Sequence, residues 1–156
     1  MEKNITLYEH TFLSLNSEYQ ELIRLAKIAS ENAYAPYSNF KVGASVLLEN
    51  GLTFSANNQE NICFPVGICA ERILLGYTHA NYPTVKPLML AIAAKKADNT
   101  GYATVTPCGL CRQSISEYER KFAHPLEIIM YGPEDKVYIA KGIDQLLPYK
   151  FESLNK

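Results

Sequence analysis

Leu22, Ile23, Leu25, Ala26, Ile28 and Ala29 recur at helical spacing and predict a first helix from Ser17 to about Ala33. Ser17 followed three residues on by Gln20 has the form of a capping box. Tyr34-Ala35-Pro36-Tyr37-Ser38-Asn39-Phe40 interrupts that period with a proline and turn formers, and Val42 to Leu48 follows as a buried strand. Asn50-Gly51 favours a two-residue hairpin turn that returns Leu52 to Ala56 antiparallel. A polar loop, 57–61, runs into Ile62 to Gly67. Ala70, Ile73, Leu74 and Tyr77 then suit a helix with Cys69 in its first turn, ending near His79 to Asn81. Leu88 to Ala94 reads as a central strand. Another helix runs from Cys108 or Leu110 to about Arg120, with Ile115 and Tyr118 as packing positions. Leu126 to Tyr131 and Lys136 to Ala140 are strand-like around the turn sequence 132–135, joined by a hairpin or a crossover. Asp144 to Leu147 is a short helix stopped by Pro148, with Tyr149 to Lys156 as a tail. The order α-β-β-α-β-α-β-β-α predicts an α/β fold, a three-layer α/β/α sandwich with a mixed five-stranded sheet. Residues 1–16 lack periodicity and read as an arm on the surface or on a partner subunit; residues 17–156 form one domain.

At 156 residues the chain can bury about 70% of its unfolded surface in a single core. Fifteen basic against sixteen acidic residues give no general attraction for a phosphate backbone, which argues against a nucleic-acid partner. The longest apolar run, Leu88 to Ala94, falls far short of the roughly 20 residues that span a bilayer, so no membrane partner is expected. The first sixteen residues carry Glu2 and Glu9 and lack an apolar core of the kind a secretory signal needs. A cytoplasmic location follows. In that compartment four cysteines point to metal or catalysis ahead of disulfides.

Cys69-Ala70-Glu71-Arg72 and Pro107-Cys108-Gly109-Leu110-Cys111 concentrate this chemistry. Cys108 and Cys111, two residues apart, fit one tetrahedral ion, and Cys69 brings a third sulfur from another helix. Three protein ligands leave a fourth position open, as in catalytic rather than structural zinc sites. Three thiolates on Zn²⁺ leave a net charge near −1, which blunts the metal's power to acidify water. Two helix N-termini, about half a positive charge each, and the guanidinium of Arg72 beside the thiolates offset it. Glu71 stands where it can take a proton from a zinc-bound water and hand it on.

Those two motifs resemble the cytidine deaminase family, and the resemblance runs from about Ala33 to Phe151. It takes in Ala35-Pro36-Tyr37-Ser38-x-Phe40-x-Val42-Gly43-Ala44, Asn58-x-Glu60-Asn61, Pro65-x-Gly67-x-Cys69-Ala70-Glu71-Arg72, Pro107-Cys108-Gly109-x-Cys111-Arg112-Gln113 and Leu146-Leu147-Pro148-x-x-Phe151. It implies the small homotetrameric, three-cysteine branch, with one Zn²⁺ per subunit, a cytidine deaminase-like fold and active sites shared between subunits. It also implies hydrolytic deamination of cytidine and 2′-deoxycytidine to uridine and 2′-deoxyuridine, with zinc-bound hydroxide attacking C4 and Glu71 shuttling protons. By the same resemblance Phe40 packs near the nucleoside, and Asn58 and Glu60 bind ribose hydroxyls. The N–H near Ala70 and the carbonyl of Thr106 hold the pyrimidine edge, and Phe151 is lent by a neighbouring subunit to stack on the base. Ile62, Phe64 and Gln59 depart from the usual family residues.

Each assignment has a rival. Cys63 is either a fourth ligand, closing a structural non-enzymatic zinc module, or a buried thiol, and its five-residue separation from Cys69 favours the thiol. Glu71 is otherwise a first-turn acid satisfying the helix dipole. Asn58 and Glu60 taken alone are turn residues, Phe151 a tail residue packing on its own subunit, and Arg72 and Arg112 solvated charges. A deaminase of modified or antibiotic cytosine nucleosides is the runner-up function. A nucleic-acid deaminase would need basic or aromatic surface for a strand.

Overall fold

The computed structural model describes residues 2–96, 98 and 100–152. Positions 153–156 of the expected tail, Met1 of the arm, and Ala97 and Asn99 of the polar stretch before Pro107 lie outside the described residues. Three α-helices, α1 (Ser17–Glu31), α2 (Ala70–Asn81) and α3 (Gly109–Phe122), pack on one sheet. Its strands are β1 (Tyr8–Thr11), β2 (Phe40–Leu48), β3 (Thr53–Asn57), β4 (Pro87–Lys96), β5 (Tyr102–Ala103), β6 (Glu127–Tyr131) and β7 (Lys136–Lys141). The spatial order is β1-β7-β6-β4-β2-β3, and β5 pairs with β4. The β4–β6 pair, joined through α3, is parallel, as a crossover connection requires. The other pairs are antiparallel.

The sheet therefore has seven strands where the apolar pattern predicts five. Both additions escape a periodicity argument for a physical reason. Tyr8-Glu9-His10-Thr11 is almost wholly exposed and joins through backbone pairing with β7, Tyr8 opposite Ile139 and Thr11 opposite Lys136. The β5 strand has two residues, too few to carry any alternation. The 132–135 segment is a hairpin and not a crossover, because Ile129 faces Ile139 in antiparallel register. The expected last helix shrinks to one 3₁₀ turn, Ile143–Gln145. The cap of α1 is Asn16, whose side chain accepts from the Tyr19 N–H at 3.2 Å, and not Ser17.

Alternation along the strands makes the three layers. On one face Ala44, Val46, Leu48, Leu90, Ile92, Ile128 and Met130 meet Ala70, Leu74 and Leu75 of α2 and Ile115 of α3. On the other, Leu47, Ala91, Ala93, Ile129, Val137 and Ile139 meet Leu22, Ile23 and Ala26 of α1. Burying each large aliphatic side chain contributes about 1.5–3 kcal/mol, so two such faces hold the sandwich without a disulfide. All four thiols are free. No helix among the described residues is long and apolar enough to cross a membrane.

The α1 face of β2 is cut small so that helix and strand backbones can approach. Ser45 donates its hydroxyl to the Leu22 carbonyl at 2.6 Å. A Cβ on Gly43 would lie 1.9 Å from the Ala26 carbonyl oxygen and 2.5 Å from the Ser30 nitrogen. Both atoms are helix backbone and cannot rotate away. Gly43→Ala is expected to cost at least about 2 kcal/mol, read as a lower urea midpoint. An unchanged midpoint would mean that α1 yields freely.

Candidate active site

Two helices begin at one point of the sheet's α2/α3 face. Cys69 (φ −72°, ψ 151°) precedes α2 and Cys108 (φ −66°, ψ 170°) precedes α3, both in the extended N-cap position and neither with a side-chain cap. Cys69 is thus one position outside the helix that the pattern gave it, and its carbonyl accepts from the N–H groups of Arg72 and Ile73. Cys111, in the first turn of α3, is fully buried. The Cys69 and Cys108 sulfurs are 3.7 Å apart and those of Cys108 and Cys111 3.5 Å. All three lie within 4.8 Å of one another. A tetrahedron with Zn–S bonds of about 2.3 Å has S···S edges of about 3.8 Å, so the sulfur spacing fits zinc.

The electrostatics agree. Hydrogen bonds from the Cys111 and Cys108 thiols, with help from the charge of Arg72, pull Cys69 down to about 6. Cys111, as the thiol donating to Cys69 and itself desolvated, is held well above the ordinary thiol range. Glu71 sits one residue into α2, 4% exposed. Burial pushes its carboxyl up to about 7, and the nearby Cys69 charge acts in the same direction; its own backbone N–H and the Cys111 thiol oppose them. A buried acid near neutrality, touching the sulfur cluster, is matched to proton transfer in both directions.

A cavity of about 360 Å³ opens over this cluster, lined by Cys69, Glu71 and Cys108 and by Phe40, Val42 and Val105. Asn58, Glu60 and Thr106 also face it. What brings positions 34–38, 58–60 and 67–69 together is a small backbone ladder on Gln59. Its N–H and C=O bond to Ile68 at 3.0 and 2.9 Å, while Tyr34 bonds to Asn58 and Glu60 on either side at 3.1 and 2.8 Å. The Asn58 amide is largely committed to β2, accepting from the Val42 N–H at 2.8 Å and donating to the Phe40 carbonyl at 3.0 Å. Of its two amide hydrogens one remains for a ligand. The Glu60 carboxylate accepts from the N–H groups of Tyr37 and Ser38 and from the Ser38 hydroxyl. The Ser38 hydroxyl above all holds it below the usual carboxylate range.

Residues 16–123 match the cytidine and deoxycytidylate deaminase zinc-binding region. The chain belongs to that deaminase family. Among relatives, cytidine deaminase of Mycoplasma genitalium is 32% identical over 90% of this chain and 98% of its own. Blasticidin-S deaminase of Bacillus cereus is 27% identical over 85% and 93%. The crystal structure of cytidine deaminase from Burkholderia pseudomallei superposes with a TM-score of 0.72 at 31% identity, covering 88% of this chain and all of that one. Family and fold stand as the motifs implied, with the three cysteines as its zinc-binding set.

Of the deaminase-motif residues, Cys69, Glu71, Cys108, Phe40, Asn58, Glu60 and Thr106 converge on one cavity. Ala70 is fully buried behind it, its N–H among the helix-start donors that lack an intrahelical acceptor. Arg72 reaches the cluster through its charge on Cys69. Phe151 is not in this cavity; it is 67% exposed and lines another at the far end of α3. Two readings need correction. Cys63 is an exposed thiol, not a buried one, and its sulfur is not in the ligand group, because the loop from Asn61 to Val66 runs over the surface. Arg112 is no solvated charge: it donates to the Pro107 and Leu146 carbonyls, both at 2.8 Å, and to the Thr106 hydroxyl at 3.1 Å. Its clamp on the wall beside Cys108 had only one sequence signal, the motif position directly after Cys111. Cys63→Ser should keep the zinc content of the unaltered protein, while Cys108→Ser loses most of it; metal analysis after dialysis decides, and zinc loss in Cys63→Ser would restore the four-cysteine site.

Proposed function

We propose that the protein is a cytidine deaminase that hydrolyses cytidine and 2′-deoxycytidine to uridine and 2′-deoxyuridine, releasing ammonia. The observation that carries this reading is the buried Glu71 carboxyl, poised near neutrality in a cavity walled by two of the three zinc-binding cysteines. Cys69, Cys108 and Cys111 would hold one zinc ion per chain, which when bound supplies a Lewis acid that makes water acidic near neutral pH. Glu71 takes the proton of the attacking water, delivers it to ring nitrogen N3, and passes the second to the departing amino group. The Thr106 carbonyl, fixed by Arg112 through its neighbour Pro107, and the Ala70 N–H hold the pyrimidine edge. Phe40 packs on the nucleoside, and Asn58 and Glu60 meet the sugar hydroxyls.

The charge around the cavity argues for nucleosides over nucleotides. Its lining carries the carboxylates of Glu60 and Glu71 and, among the described residues, no Lys or Arg. Loss of cytidine ultraviolet absorbance is expected with cytidine and 2′-deoxycytidine and not with cytosine or cytidine 5′-monophosphate. Glu71→Gln should keep zinc and fold and lose about 10²- to 10⁴-fold in kcat; near-full turnover in that variant would sink the mechanism. One feature favours a second reading, a modified cytosine nucleoside as substrate. A further cavity of about 360 Å³, bordered by Tyr37, Asn61 and Phe64, shares Ser38, Glu60 and Gly67 with the first. Space thus continues past the sugar-binding pair, and a relative named blasticidin-S deaminase spans most of the chain. A higher kcat/KM for blasticidin S than for cytidine would select it.

The working unit is a homotetramer with shared sites. Ile62 (82% exposed), Phe64 (72%) and Val66 (60%) form an apolar rim beside the cavity, the kind of surface that marks an interface. Phe151, exposed and distant from its own cavity, is available to a neighbour's. Chains carrying Phe151→Ala and chains carrying Glu71→Gln should each be poorly active alone. Refolded together, they should recover activity, since some sites then combine an intact Glu71 with an intact Phe151. Absence of recovery in verified mixed oligomers would place Phe151 outside the site.

A further inference from the structure

Residues 2–15 lie outside the region that matches the family and take no part in the chemistry above, yet they are bonded along their course. At one end Phe12 stands edge-on to Tyr131, centroids 6.2 Å apart, and the Lys27 ammonium lies 5.1 Å from the Phe12 ring and 3.7 Å from that of Tyr131. In the middle β1 pairs with β7, and Glu9 lies 3.9 Å from Lys136. The antiparallel register sets the direction of the remainder. Residues before Tyr8 must run alongside the chain that follows Ile139, and they do. The Thr6 N–H donates to Gln145 Oε1 at 2.7 Å, and the Lys3 ammonium donates to the Pro148 carbonyl and lies 5.1 Å from the Tyr149 ring centroid.

That segment, 145–149, carries the Leu146 carbonyl that Arg112 grips. We propose that the amino-terminal arm is a strap that positions the substrate cavity: Lys3 and Thr6 hold 145–149, the Leu146 carbonyl holds Arg112, and Arg112 holds the Thr106–Pro107 wall. The geometry of the guanidinium makes the relay specific. Its planar fork offers donors in fixed directions, and here they join the Thr106–Pro107 wall to Leu146, far along the chain. Nε and Nη2 engage Pro107 and Thr106, and Nη1 alone reaches Leu146. With 145–149 released, Nη1 loses its anchor and the guanidinium can turn about the bonds it keeps, carrying the wall with it. Lys3, Thr6 and Gln145 are positioning residues: they act on the substrate through Arg112 and touch nothing that reacts.

A merely stabilising arm and a strap differ in what they change. If the strap sets the wall that meets the pyrimidine, its loss weakens ground-state and transition-state binding alike, which raises KM and leaves kcat. The test uses the full-length, zinc-loaded protein with Lys3→Met and Gln145→Leu combined. One or two lost hydrogen bonds predict a rise in KM for cytidine of about threefold to tenfold, with kcat within about twofold and zinc content unchanged. In the same variant amide hydrogen exchange should quicken at Val105 and Thr106 while β2 and β4 keep their protection. Unchanged exchange at Val105 and Thr106, or a fall in kcat at constant KM, overturns the strap. The kinetic half rests on the deaminase reading; the exchange half does not. An inactive protein with the expected exchange change would therefore reject the substrate and keep the strap. Should the double variant not fold, Gln145→Leu alone, at a partly exposed position, is read by the same two measurements.

Discussion

Three sulfurs within 4.8 Å are the constraint from which the arrangement of this protein follows. Thiolates that close repel unless positive charge stands near, and the backbone supplies it most economically at helix N-termini, where N–H groups lack acceptors. Cys69 and Cys108 therefore occupy N-cap positions of two helices that must begin side by side. Two helices that start together have to pack on the same sheet face, and they do so through Ala70, Leu74, Leu75 and Ile115 over β2, β4 and β6. The third helix, α1, is left to cover the opposite face. The same crowding sets the acid–base chemistry, because Glu71 is buried by this packing and feels the Cys69 charge.

The substrate side is built differently. No helix carries Asn58 or Glu60; two backbone bridges on Gln59, to Tyr34 and to Ile68, do. Both polar side chains are already hydrogen-bonded to main chain around residues 37–42. Those bonds cost ligand-binding capacity but fix direction. An unbonded carboxylate on a surface loop would sample many rotamers, and ordering it on binding would consume part of the interaction. Ser38 joins the two halves, donating to Glu60 and accepting from the Phe40 N–H at 3.0 Å. Movement of the sugar end is thus tied to movement of the Phe40 wall.

Periodicity predicts the three main helices and five strands because each carries a buried face; of the metal triad only Cys108 and Cys111 are local in spacing, and Cys69 is legible from the motif around it. It missed what depends on backbone pairing or on single polar contacts. Tyr8 to Thr11 has no apolar alternation, so its place at the sheet edge follows only from the unpaired edge of β7. Asn16 and Ser17 are both good caps by residue type, and it is Asn16 that accepts from Tyr19. Cys63 looked buried by residue type, whereas its neighbours Ile62 and Phe64 are turned outward with it. Arg112 looked solvated by residue type, whereas its three acceptors come from segments the sequence keeps apart.

Helix α3 connects these pieces. Its first turn gives Cys111 to the sulfur cluster and Arg112 to the cavity wall. One turn from its far end, Glu119 accepts from the N–H groups of Leu126 and Ile143, both at 2.8 Å. Burial pushes that carboxyl up, and these two bonds oppose the shift. The carboxylate joins the start of β6 to the 3₁₀ turn that opens the 143–149 segment. That segment is therefore held by α3 at Ile143 and Leu146 and by the arm at Gln145 and Pro148. The α3 contacts, at Ile143 and Leu146, alternate with the arm contacts, at Gln145 and Pro148, within six consecutive residues. A segment gripped from two sides cannot shift toward either without breaking bonds to the other, which is how an arm remote from the sulfurs comes to bear on the wall beside them.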